Sequence, residues 1–229
     1  MIDSFIRKIS ILKGVKEEHY QYIEKFIKIE TYSKNQHIFY EHEQAKAIYF
    51  VKTGIVKLKK MNPQGKEVVV CIKRSEEVFA EASLFCSGDI HYPATAQMLT
   101  DGEVAFISTA ALEEIILDSR ELSAEMIRMM SLKLREFTET LKDMTLLDVY
   151  GKTVKTLERL GKEYGKHSNC AVQIEIPLSI QELANIIGSS RETVSRVVSK
   201  LKDDDIILVS EKIISINNWC HFCTMSSKL

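Results

Sequence analysis

The sequence lacks most of what would send a protein to a membrane or out of the cell. No apolar run approaches the roughly 20 residues needed to cross a bilayer. Its first residues, Met1-Ile2-Asp3-Ser4-Phe5-Ile6-Arg7-Lys8, do not have the basic-then-apolar order of a signal peptide. The five cysteines, Cys71, Cys86, Cys170, Cys220 and Cys223, are odd in number and sparse, so reduced thiols are expected rather than a disulfide framework. Formal net charge is −1, and any affinity for a polyanion must therefore come from local charge. There is no nucleophile–base pair, no phosphate-binding loop and no metal-spaced His/Cys group beyond Cys220 and Cys223, which argues against an enzyme. With 45% hydrophobic and 28% charged residues, the 229-residue chain reads as a cytoplasmic globular protein of one large domain or two small ones.

Three regions differ in pattern. Residues 1–108 begin with short helices, in which Ile6, Ile9, Leu12, Tyr22, Ile23, Phe26 and Ile27 recur at helical spacing. From Ser33 to Ser108, short runs rich in Val, Ile, Phe and Tyr (Ala47–Val51, Ile55–Leu58, Val68–Ile72, Val104–Ile107) alternate with the turns Lys52-Thr53-Gly54 and Asn62-Pro63-Gln64-Gly65. This spacing predicts an antiparallel sandwich or barrel. Residues 109–147 contain neither Pro nor Gly and predict one long helix. Within it Ile127, Met130, Leu134, Phe137, Leu141 and Met144 step by three and four, the a/d pattern of a two-chain seam. Residues 148–229 predict a helix from Lys152 to Tyr164, a polar loop over Gly165–Cys170, a strand over Gln173–Pro177, and then two helices in quick succession.

Those two helices are the most informative stretch. Ser179 with Glu182 forms a capping box, Leu183, Ile186 and Ile187 give an apolar face, and Gly188 suits the left-handed residue that ends a helix. Ser189 or Ser190 caps the next helix, with Ser189 and Glu192 as a second capping box. Val194, Val197, Val198 and Leu201 point inward in that helix, while Arg191, Glu192, Ser195 and Arg196 share the opposite face. A helix entering a major groove needs such a face: Arg is bidentate to guanine, and a carboxylate accepts from cytosine. Arg191, Arg196, Lys200 and Lys202 against Glu192 leave it about three charges positive by the usual ionisation states. An Ile206–Val209, Ile213–Ile216 hairpin follows as a wing.

These residues resemble the CRP/FNR superfamily of bacterial transcription regulators over nearly the whole chain. Gly188-Ser-Ser-Arg-Glu-Thr-Val-Ser-Arg196 resembles the family's recognition-helix signature, and Leu147-Asp-Val-Tyr-Gly-Lys152 its hinge. Ala47-Ile-Tyr-Phe-Val-Lys-Thr-Gly54 and Gly65-Lys-Glu67 resemble its β-roll. The resemblance implies an α+β fold: an N-terminal jelly-roll-like β-roll sensor, a long dimerisation helix and a C-terminal winged helix-turn-helix. It implies a homodimer on double-stranded DNA, with RNA polymerase as a further partner if the protein activates, no membrane partner, and an effector left open. Arg191, Glu192 and Arg196 match the set that reads TGTGA-type half-sites. Glu192, Ser195 and Arg196 match the FNR-branch set for TTGA-type half-sites, and the serine tips the choice to that side. Ser179, Gln181, Ser190 and Thr193 match phosphate-contacting positions.

The sensor departs further from the family pattern. Ala80-Glu81 keeps only the acid that by analogy faces a ribose. His91-Tyr92 stands where an Arg-Ser pair holds the cyclic phosphate, and Phe137 replaces the polar residue that meets the adenine. These changes predict a regulator that does not bind cAMP, close to the FNR branch and to arginine-deiminase-type regulators. A Bacillus-type FNR branch holds an iron–sulfur cluster with C-terminal cysteines and an aspartate. Cys220-His-Phe-Cys223 and Asp143 match part of that set, but the third cysteine, expected near Lys228, is absent. No cofactor is therefore expected, with a cluster or thiol-based redox sensor, or a nucleotide-binding sensor module, as alternatives.

Overall fold

Alternation of side chains decides how the first half layers. The computed structural model describes residues 2–12, 16–86 and 88–229. Contacts divide them into one unit of Met1–Gly65 with Val70–Arg135 and another of Lys66–Val69 with Glu136–Leu229.

The first unit opens with helices α1 (Ile2–Ile6) and α2 (Glu17–Phe26). Strands β1 (Lys28–Tyr32), β2 (His37–Phe39), β3 (Ala47–Thr53), β4 (Val56–Met61), β5 (Glu67–Lys73), β6 (Val78–Phe79), β7 (Thr95–Met98) and β8 (Gly102–Ser108) follow. They build two four-stranded sheets, ordered β1-β8-β3-β6 and β2-β7-β4-β5. On β3 and β8, Ile48, Phe50, Ala105 and Ile107 face the helices and join Ile9, Ile23 and Leu112 in one core. The alternate residues Val51 and Val104 face the second sheet and join Phe39, Val56, Ala96 and Met98 in another. Period two on a strand makes this three-layer arrangement possible. The expected sandwich is present, but its first strand begins at Lys28 rather than after Ser33. Five residues of antiparallel pairing with β8, Lys28↔Phe106 to Tyr32↔Gly102, hold this polar segment in the sheet.

The single helix expected over 109–147 is two: α3 (Thr109–Asp118) and α4 (Arg120–Leu146). Ser119 between them is extended (φ −114°, ψ 109°), and its hydroxyl accepts from the Leu122 N–H at 3.2 Å. A serine that caps the next turn can end a helix without glycine or proline.

The second unit contains α5 (Val149–Tyr164), β9 (Gly165–Ser168), β10 (Ala171–Ile174), α6 (Ile180–Ile187), α7 (Arg191–Asp203), β11 (Ile207–Ser210), β12 (Ile213–Ile216) and α8 (Trp219–Ser226). Its sheet runs β11-β12-β10-β9. Three local expectations are corrected. Helix α5 starts at Val149, because Asp148 caps it by accepting from Gly151 N–H at 2.8 Å. The supposed polar loop is strand β9 and a turn in which Asn169 takes φ 52°. The strand expected over Gln173–Pro177 ends at Ile174. The wing hairpin is present, and its turn places Glu211 (φ 48°) and Lys212 (φ 69°) both in the left-handed region.

Within this unit α8 lies close to α5. A Cβ on Gly161 would come within 2.5 Å of Cζ3 of Trp219, the chain's single tryptophan. Gly161→Ala gains about 1 kcal/mol of helix propensity but overpacks the indole, a cost of about 1–3 kcal/mol. The net expectation is a lower melting temperature and a red-shifted tryptophan emission as the half-buried indole turns outward. An unchanged emission spectrum would refute this packing.

Candidate nucleic-acid interface and sensor site

The interface is built by two capped helices. Ser179 caps α6: its hydroxyl accepts from Glu182 N–H at 3.2 Å, and the Glu182 carboxylate accepts from the Ser179 N–H at 2.8 Å. Gly188 (φ 73°) closes the helix with its N–H on Ala184 O. Ser189 N–H goes to the same carbonyl at 3.1 Å. That bond commits Ser189 to the end of α6, so the expected Ser189–Glu192 capping box does not form. Ser190 alone caps α7, accepting from Thr193 N–H at 3.2 Å.

Val194, Val198 and Leu201 are buried on the inner face of α7, and Val197 is half-buried rather than fully inward. Arg191, Glu192, Ser195 and Arg196 are all exposed, so the four side chains named from sequence do share a free face. The Glu192 backbone N–H, then the Ser190 hydroxyl, hold the Glu192 carboxyl below its usual range, and Arg191 and Arg196 add to this. At neutral pH it is a charged acceptor flanked by two guanidinium donors. The helix extends to Asp203, so its four cations face two carboxylates and its net charge is two positive, not three. Lys200 lies over the Tyr150 ring at 5.2 Å. Of the other named residues, Gln181 is exposed and donates to Asn185 at 2.8 Å, and Ser190 and Thr193 share a 2.9 Å hydroxyl contact. The Ser179 hydroxyl also donates to Glu182 at 2.8 Å, which occupies it within the cap.

The seam residues lie bare along α4: Ile127, Leu134 and Leu141 are each more than 60% exposed, Met130 and Phe137 are exposed, and Met144 is half-buried. An apolar groove of about 480 Å³, lined by Phe85, Ile116, Leu117, Met126 and Met130 among others, runs beside Ile127 and Leu134.

In the sensor, the four named residues have different surroundings. Tyr92 is buried at 3% exposure, stacked on Phe39 with ring centroids 3.9 Å apart. Its hydroxyl lies 3.1 Å from both N and O of Ala47. His91 is exposed, 3.8 Å from Asp89. Phe137 belongs to the bare stripe. Glu81 is buried and forms an ion pair with Lys133 of α4, a partner that sequence reading did not name. Lys133 stands 52 positions along the chain, and no periodicity links the two.

The thiols do not gather. Cys220 and Cys223 lie one turn apart on α8, and burial, then Glu158, push the Cys223 thiol up, away from a ready thiolate ligand. Among the described residues no three His, Cys, Asp or Glu side chains come together to hold a metal, so Asp143 does not join the pair. Two thiols, one of them held protonated, do not fit an iron–sulfur cluster, which is normally held by four cysteine thiolates.

Comparison with known proteins agrees with the layout. Residues 29–119 match the family described as cyclic nucleotide-binding domain, and residues 139–222 the Crp-like helix-turn-helix domain. The anaerobic regulatory protein of Bacillus subtilis is 27% identical over 197 residues, 86% of this chain and 82% of its own length. The CRP-like cAMP-activated global transcriptional regulator of Mycobacterium tuberculosis is 26% identical over 219 residues, 95% of this chain and 96% of its own. Among solved structures, FixK2 from Bradyrhizobium japonicum shares the fold with a TM-score of 0.75 at 20% identity, covering 86% of this chain and 96% of that one.

Proposed function

The chain belongs to the CRP/FNR superfamily of transcription regulators, and from that premise we propose that it works as a homodimer that reads an inverted-repeat operator and answers to an effector other than a cyclic nucleotide. The observation that carries the DNA reading is the free face of α7. Arg191, Glu192, Ser195 and Arg196 stand exposed over the first turns of a helix whose inner face is anchored by Val194, Val198 and Leu201. These four stand at the N-terminal end of α7, and a helix N-terminus is a setting that favours phosphate oxygens. RNA polymerase is a further partner if the protein activates.

The homodimer rests on the stripe along α4. A fully buried Leu or Ile is worth about 1.5–3 kcal/mol relative to exposure, so leaving five large apolar side chains in water is costly unless a second copy covers them. The groove beside Ile127 and Leu134 extends that apolar surface.

The sensor reading rests on Tyr92. A phosphodiester requires a fixed cation and N–H donors. A buried phenol, stacked on Phe39 and bonded to Ala47, supplies neither. Glu81, the one residue retained from the nucleotide-binding pattern, is paired with Lys133.

Three outcomes are expected. In operator selection from a random DNA pool, the parent protein enriches an inverted repeat, and Arg196→Ala loses about 1–3 kcal/mol per half-site while relaxing preference at one base pair. Parent-like binding by that variant would remove α7 from the interface. Sedimentation of the parent at micromolar concentration gives a dimer. Leu134→Asp, which would bury an unpaired charge at a cost of several kcal/mol, shifts it to monomer; a monomeric parent would overturn the seam. Calorimetry with cAMP or cGMP detects no micromolar binding, and such binding, if seen and lost in Glu81→Ala, would reverse the sensor reading.

A further inference from the structure

Lys200, in the second half of α7, has a fixed neighbour. Its ammonium lies over the ring of Tyr150, 5.2 Å from the ring centre. Tyr150 stands in the first turn of α5, which Asp148 caps by accepting from the Gly151 N–H at 2.8 Å. The phenol hydroxyl donates to Met225 Sδ of α8 at 3.7 Å, so the half-buried ring is held at both ends. Lys200 itself is exposed. Among the described residues it makes no ion pair, although Asp203 and Asp204 follow it at three and four positions. An ammonium on an aromatic face keeps its charge and its N–H donors for an anion, whereas one in a salt bridge has already committed them.

Position on the helix decides what that charge can meet. A helix about 10–12 Å across fills a major groove about 12 Å wide. Side chains at the centre of the inserted face reach base edges, and those displaced to one side lie against the sugar–phosphate wall. Lys200 follows Arg196 by four positions, which carries it about 40° round α7 and about 6 Å along it. It therefore stands just beyond the edge of the face formed by Arg191, Glu192, Ser195 and Arg196. A mobile lysine loses rotamer freedom when a phosphate fixes it, and that loss opposes binding. The ring of Tyr150 removes part of that freedom beforehand.

We propose that Lys200 is a phosphate contact of the operator complex and that Tyr150 is its positioning residue, holding the ammonium at the edge of α7 before DNA arrives. This rests on the reading of α7 as the helix that enters the groove, and adds a backbone contact to the base-reading set. The contact carries no sequence information, because a lysine on a phosphate oxygen strengthens binding to every site alike.

The test is operator affinity of the full-length protein, measured by fluorescence anisotropy over a range of KCl concentrations on the operator that selection yields. Each phosphate neutralised adds about 0.9 to the slope of log affinity against log salt. Lys200→Gln is expected to lower that slope by about 1.8 for a dimer and to leave the base preferences as they are. Tyr150→Leu keeps the charge and the slope but removes the support, so affinity falls about two- to fivefold per half-site. Tyr150→Phe, which keeps the ring, recovers the parent affinity. In a Lys200→Gln background Tyr150→Leu has no further effect, which separates positioning of Lys200 from a general weakening of the fold. An unchanged slope in Lys200→Gln overturns the phosphate contact. Equal loss from Tyr150→Leu in both backgrounds, or a Tyr150→Phe that binds like Tyr150→Leu, overturns the positioning role. In those cases a parent that binds its operator, with Arg196→Ala relaxing preference at one base pair, leaves the reading of α7 standing. A parent that selects no operator overturns that reading and this contact with it.

Discussion

The exposed apolar stripe of α4 is the constraint on which the remainder of the structure depends. A helix of 27 residues with Ile127, Leu134, Phe137 and Leu141 all exposed is not a stable object in water by itself. The first part of α4 is held by its own chain, where Leu122 and Met126 enter the core below β3 and β8 and Lys133 pairs with Glu81. Beyond that point the large apolar side chains are exposed, and their steps of three and four are the spacing of a helix–helix seam. In the proposed homodimer a two-fold axis would relate two copies of α7, and an inverted repeat in DNA has the matching symmetry.

Legibility in the sequence followed the range of the forces involved. The helix-turn-helix could be read because its determinants are local: Ser179 with Glu182, Gly188, and the inward Val194, Val198 and Leu201 lie within about two dozen positions. The wing was legible for the same reason. Where a local signal had two equivalent solutions, it was ambiguous. Ser189 and Ser190 are both good caps, and the choice fell to Ser190 because Ser189 N–H closes the preceding helix on Ala184. Long-range pairing was not legible. Strand β1 is a polar segment held by β8, 70 or more residues later, and Glu81 meets Lys133 of α4 52 positions further on. The break at Ser119 was hidden by the absence of glycine and proline, since a buried serine can end one helix and start another through its own hydroxyl.

The first unit has an aromatic interior. Phe39, Tyr49, Phe79 and Tyr92 fill its interior with contacting rings, and the hydroxyl of Tyr92 is satisfied by backbone and by Tyr49. Burial and hydrogen bonding to Tyr92 push the Tyr49 phenol well above its usual range, so that phenol stays neutral across physiological pH. The charged groups named in this unit are instead Glu81 and Lys133, which pair with each other.

The wing carries its own electrostatic consequence. Its tip is only two residues, Glu211 and Lys212, each in a backbone region that glycine occupies at lower energy. Their charges are opposite, so the tip meets a polyanion with no net attraction. Of the two elements, attraction for a polyanion therefore falls to α7, whose net charge is two positive.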